Sequence, residues 1–116
     1  MVGLYKEDGT MIINELEYAT NFFQQTIGLM FRKHLDGGMV FVLDHEEYEP
    51  VHMLFMRFPL DDIFLNANRR IIYKAENLRP WAGFCSPPIK WKYLIEMNAG
   101  KIREYDLHIG DKVKIE

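Results

Sequence analysis

Short apolar runs, each closed by a turn signal, restrict this chain to a mainly β fold. Residues 1–5 are apolar, Asp8-Gly9 is a turn signal and residues 11–16 are apolar again, which predicts an opening hairpin. Asp36-Gly37-Gly38 turns the chain into residues 39–43, Met-Val-Phe-Val-Leu, apolar on both faces and expected to be a fully buried strand. The acidic residues 44–50 read as a loop. Residues 51–58 and 60–65 are strand-like on either side of Pro59. Proline has no N–H to give to a ladder, so it marks an edge, a bulge or a corner. Asn66-Ala-Asn-Arg69 is a turn, and in the next run Ile71, Tyr73 and Ala75 alternate with Arg70, Lys74 and Glu76, the period of a half-buried strand. Residues 91–97 make a further strand, and Gly110 leads into a last one, where Val113 and Ile115 alternate with Lys112, Lys114 and Glu116.

Helix is sparse. Thr20 can cap a helix over residues 21–27, with Phe23, Ile27 and Met30 on one face and Gly28 at its end. Residues 99–105 predict a second short helix, with Asn98 as its N-cap. Residues 77–88 carry three of the five prolines and read as irregular. There is no βαβ rhythm and no internal repeat. The expectation is one compact domain over residues 1–116: a β-sandwich, jelly-roll-like or barrel-like, with one or two short helices.

Composition narrows the function classes. With 48% hydrophobic residues and a net charge of −3, the chain is too apolar and too weakly charged for disorder. The acidic balance argues against nucleic acid, and the basic Asn66-Ala-Asn-Arg-Arg70 reads as a hairpin tip. No apolar run approaches the ~20 residues that span a bilayer. The single cysteine, Cys85, cannot form an internal disulfide, and the first residues lack an apolar signal core. A soluble cytoplasmic protein is expected.

The stretch His52-Met-Leu-Phe-Met-Arg-Phe-Pro-Leu-Asp-Asp-Ile-Phe-Leu-Asn66 sets Arg57, Asp61 and Asp62 inside a core-grade apolar run. Unpaired buried charge is costly, so the run implies an internal ion-pair network or a ligand site beside the core. Three segments then carry a resemblance: Gly28-Leu-Met-Phe-Arg32; Gly38-Met-Val-Phe-Val42 with Met53 and Arg57-Phe-Pro-Leu-Asp61; and Tyr93-Leu-Ile-Glu-Met-Asn-Ala-Gly100 with Arg103, Gly110-Asp111 and Val113. In this order they resemble the uncharacterised conserved (ACR) family known as domain of unknown function 192. The resemblance implies a compact, mainly β, prokaryotic domain with no established activity. One departure is notable: relatives often carry Trp-Met-Lys-Asn-Thr where this chain has His52-Met-Leu-Phe-Met56, so the polar Lys-Asn pair is replaced by Leu54-Phe55.

The candidate site is the polar cluster that these segments could bring together: Arg32, Arg57, Asp61, Glu96, Asn98 and Arg103. Glu96 and Asn98 share the face of Leu94 by alternation, and Arg57 or Arg32 with Glu96 or Asp61 is a natural bidentate pairing. Asp61 and Asp62 point to opposite faces of one strand and cannot form a dyad. Two readings follow. In one, the cluster is a structural anchor, or it lines a pocket for a small polar ligand or a protein partner, and the domain is a binding or interaction module. In the other, Asp61 and Glu96 act as the acid and base of a hydrolase on a small or carbohydrate-like substrate. No metal or cofactor site is expected, since His34, His45, His52 and His108 are scattered. Cys85 reads as a packed thiol, and Asn98-Ala-Gly100 and Gly110-Asp111 as a corner and a turn. Trp81, Phe84, Trp91 and Tyr93 flank the proline-rich loop as a lid, a stacking surface or an interface.

Overall fold

A computed structural model describes residues 2–18, 37–52, 58–79 and 84–116. Its elements are β1 (Val2–Lys6), β2 (Met11–Tyr18), β3 (Gly38–Glu47), β4 (Val51–His52), β5 (Leu60–Leu65), β6 (Ile71–Leu78), β7 (Phe84–Cys85), β8 (Trp91–Asn98), α1 (Lys101–Glu104) and β9 (Val113–Ile115). The helix expected over residues 21–27 lies outside the described residues, as do Arg32, Arg57 and Trp81.

One curled sheet, a half-barrel, runs in the order β6-β5-β8-β3-β2-β1-β9, and β4 pairs with β7 as a separate two-stranded ribbon. Pairing is antiparallel except between β2 and β3. The hairpin of β1 and β2 turns at Asp8-Gly9, where Gly9 adopts φ 95°. The sheet edges meet at one corner. There the Gly110 N–H donates to the Ile71 carbonyl (2.7 Å), Ile71 N–H to Asp111 (2.8 Å) and Val113 N–H to Arg69 (3.0 Å).

The central strands are buried on both faces, which is why β5 carries no alternation of apolar and polar residues. One cluster joins Leu4, Ile13, Val40, Ile63, Ile95 and Met97 with Ile102 of α1. The other joins Met39, Phe41, Phe58, Leu60, Phe64 and Leu94 with Cys85 and Trp91. Every residue of β5 is buried, its two aspartates included.

Three expectations are corrected. The acidic residues 44–47 extend β3 to Glu47, which pairs with Trp91 across a register irregularity. The side chains of residues 44–47 are exposed, while the backbone of Glu47 finds its partner in β8. The apolar run 39–43 is therefore not buried throughout: Val42 is 43% exposed. And α1 is not capped by Asn98. Its N-cap residue is Gly100, at φ 101° with no side-chain cap of its own. Among the described residues no helix is long and apolar enough to cross a membrane.

Candidate functional site

Two consecutive aspartates on β5 stand on opposite faces of the sheet. The register with β8 sets this: Asp61 lies across from Met97, and Asp62 across from Glu96. Directly paired residues share a face, so Asp61 joins the face of α1 and Asp62 joins Glu96 on the other.

Asp61 is fully engaged. Its Oδ1 accepts the Asn77 N–H at 2.8 Å, and its Oδ2 accepts the Gly100 and Ile102 N–H groups at 3.0 Å each. A carboxylate from a distant strand thus does the work of a helix cap, satisfying amides at the start of α1 and fixing the bend of β6 at Asn77, where φ is 51°. The residue is 1% exposed. A groove of about 400 Å³ lies beside it, lined by Asp61, Glu76, Asn77, Ala99, Gly100 and Arg103.

Asp62 is the opposite case. It is 0% exposed, and among the described residues neither carboxylate oxygen has a hydrogen-bond partner. Burial pushes its carboxyl well above the usual range, and the charges of Glu96 and Asp61 push it further. Glu96 is 4% exposed and is pushed up by burial to about 7. On the same face are Met39, across from Glu96 on β3, and Leu60, Phe64 and Leu94; farther along the sheet Trp91 meets Phe64 edge-on at 5.2 Å. Cys85 belongs to the same cluster, and its thiol is pushed up to about 11 by burial and then by Asp62.

The six residues singled out from the sequence therefore do not form one described cluster. Arg32 and Arg57 fall outside the described residues. Asp61 and Arg103 meet at the groove, with Arg103 exposed. Glu96 sits on the opposite face of the sheet from Asp61, and half-buried Asn98 ends β8 across from Leu60. The hydrolase reading through Asp61 and Glu96 is overturned on this geometry. The two carboxylates are separated by the sheet itself, and Asp61 is occupied by three backbone amides. The residue missed was Asp62, the true partner of Glu96. Its parity with Leu60 and Phe64 was legible, but the register with β8 was not.

A curled seven-stranded half-barrel, with β5 buried on both faces and Asp62 set across from Glu96, defines a small mainly β protein of an uncharacterised class. The family described as Uncharacterized ACR, domain of unknown function 192, matches residues 4–115, and the chain belongs to this family. A UPF0127 protein of Pyrococcus furiosus is 37% identical over 108 residues, covering 91% of this chain and 90% of the relative. The solved structure of a candidate transcription regulator from Sinorhizobium meliloti 1021 superposes with a TM-score of 0.82 at 25% identity, covering 98% of this chain and 91% of that one. A protein of unknown function from Novosphingobium aromaticivorans gives 0.79 at 27% identity, covering 97% and 82%.

Proposed function

We propose that the protein is a binding module that holds a small polar ligand on the Asp62–Glu96 face of its sheet. The observation that carries this reading is Asp62: a fully buried carboxylate with no donor on either oxygen among the described residues. Buried polar groups in proteins are nearly always partnered, and an orphaned one calls for an explanation. Structural anchoring does not supply it, because Asp61 on the other face already performs that work. Catalysis is a poorer account. The one thiol beside the pair is pushed toward its unreactive form, and an attacking group needs an activating base.

Two further features belong to this reading. A buried free cysteine suits the cytoplasm, and the Pyrococcus relative suits a prokaryotic setting. The net charge of −3 favours a small ligand over nucleic acid or an acidic membrane surface.

A thermal-shift panel of sugars, carboxylates, phosphates and amines tests the reading, since a ligand that binds only the native state raises the melting temperature. At least one class should stabilise the wild type and lose its effect in Asp62→Asn. A panel with no effect on the wild type, or equal effects on both proteins, would defeat it.

A further inference from the structure

We infer that the Asp62–Glu96 pair receives an organic cation, a protonated amine or a guanidinium group, enclosed between two carboxylates and an aromatic wall. This deepens the binding-module reading and rests on it. Four observations point to this ligand class.

First, the register sets the two acids directly opposite each other on adjacent strands. Like charges in that position repel, and a cation between them converts repulsion into attraction. Second, no described cation serves them: the described ion pairs join His45 to Glu47, Lys101 to Glu104 and His108 to Asp106, all elsewhere. Third, the surroundings suit an organic cation rather than a metal. No group of three or more metal-ligating side chains exists among the described residues, and a hard divalent ion wants six or more oxygens. By register and alternation the pair shares its face instead with Met39, Leu60, Phe64 and Leu94. Such walls pack against an alkyl stem, and aromatic faces attract a desolvated cation. Fourth, a guanidinium or ammonium group donates several N–H bonds at once, which is what two acceptor-only oxygens without donors require.

Anionic ligands are excluded by the same charges. The only relief open to the pair without a cation is to keep protons, so protons and the cation compete for one place. Among the described residues, few titratable groups face Asp62 and Glu96. Met39 on β3 and Ala75 on β6 are their neutral neighbours across the sheet, the charge of Asp61 acts from the other face, and Cys85 is held as a thiol. Cation binding therefore releases protons, and it weakens as the solution is acidified below the raised range of the pair.

The test uses the full chain with agmatine and methylguanidine as probes, and glucose and acetate as controls. At mildly alkaline pH the two cations should raise the wild-type melting temperature by about 3 °C or more at millimolar concentration. The shift should vanish in Asp62→Asn and in Glu96→Gln. On the wild type alone, calorimetry in two buffers of different ionisation enthalpy should show proton release, and affinity should fall about tenfold between pH ~8 and ~6. That second measurement keeps the test decisive if a variant fails to fold. Cation shifts retained in both variants, or binding without proton release, overturn the inference. A shift from glucose or acetate with none from the cations overturns the cation class and leaves the binding module standing. No shift from any compound removes both.

Discussion

Asp61 and Asp62 are consecutive in the chain, equally buried, and opposite in their chemistry. The first accepts three backbone N–H groups, and the second accepts none from the described residues. A one-residue difference in sequence becomes a change of face in a strand, and here it separates an acid that caps a helix from one that faces the apolar cluster beside Glu96.

Asp61 should be a stability residue. Asp61→Ala leaves the amides of Asn77, Gly100 and Ile102 without their acceptor, and a loss of about 3–5 kcal/mol is expected. Asp61→Asn keeps one acceptor oxygen but turns an amide group toward N–H donors, so a loss of about 2 kcal/mol is expected. Urea denaturation measures both. An alanine variant within about 1 kcal/mol of the wild type would show that α1 and the β6 bend do not depend on this carboxylate.

Asp62 and Glu96 should do the reverse. An acid whose folded pKa is raised binds its proton more tightly in the native state than in the unfolded one. For Glu96 the window runs from the ordinary 4.5 to about 7. Below it, both states are protonated and nothing is lost. Through it, stability falls as pH rises, and above it the loss is complete. Without added ligand, Asp62→Asn and Glu96→Gln should flatten this decline and melt higher than the wild type at mildly alkaline pH. Melting curves across the window provide the check. A wild type whose stability rises through it would contradict the assignment.

Cys85 should be a slow nucleophile. Its thiol is pushed up to about 11 and is buried, so little thiolate exists and less is reachable. Alkylation by iodoacetamide near neutral pH should be at least ~100-fold slower in the native protein than in denaturant. Rapid native labelling would place the thiol nearer the surface than Phe58 and Trp91 now put it.

Gly37 and Gly38 should tolerate nothing larger. At Gly37, φ is 78° and an added Cβ would run into the Glu15 carbonyl oxygen. At Gly38 it would lie 2.7 Å from Ile13 Cδ1 and 3.1 Å from the Glu96 carbonyl oxygen. Gly38→Ala is expected to cost about 1–3 kcal/mol, and Gly37→Ala more, because strain and clash add. Gly9→Ala, with open space around it, should cost only about 1 kcal/mol for its positive φ. Denaturation midpoints that fail to separate Gly37 from Gly9 would argue against this packing of β2 on β3.

Much of the fold was readable from local chemistry. The turn at Asp8-Gly9, the turn at Asn66, the strands at 60–65 and 91–97 and the short helix after Gly100 all carry their signals within a few residues. What escaped was non-local. Residues 44–47 look like a loop because their side chains are charged, yet β3 runs on to Glu47, which pairs with Trp91 of β8. Asn98 looks like a helix cap because it precedes the helix, yet the acceptor comes from Asp61, about forty residues earlier. The site suffered in the same way. Glu96 was singled out correctly as a polar residue inside a strand, but its partner is fixed by register between strands, and no local pattern records that.

β1 and β9 are neighbours in the sheet, with Gly3 and Glu116 exchanging backbone hydrogen bonds of 2.8 and 3.2 Å. The outer edge of β1 is therefore covered only by a strand far along the chain, whatever the speed at which the β1–β2 hairpin closes. Until β9 docks, that hairpin presents a bare strand edge, the kind of surface on which chains pair wrongly with one another.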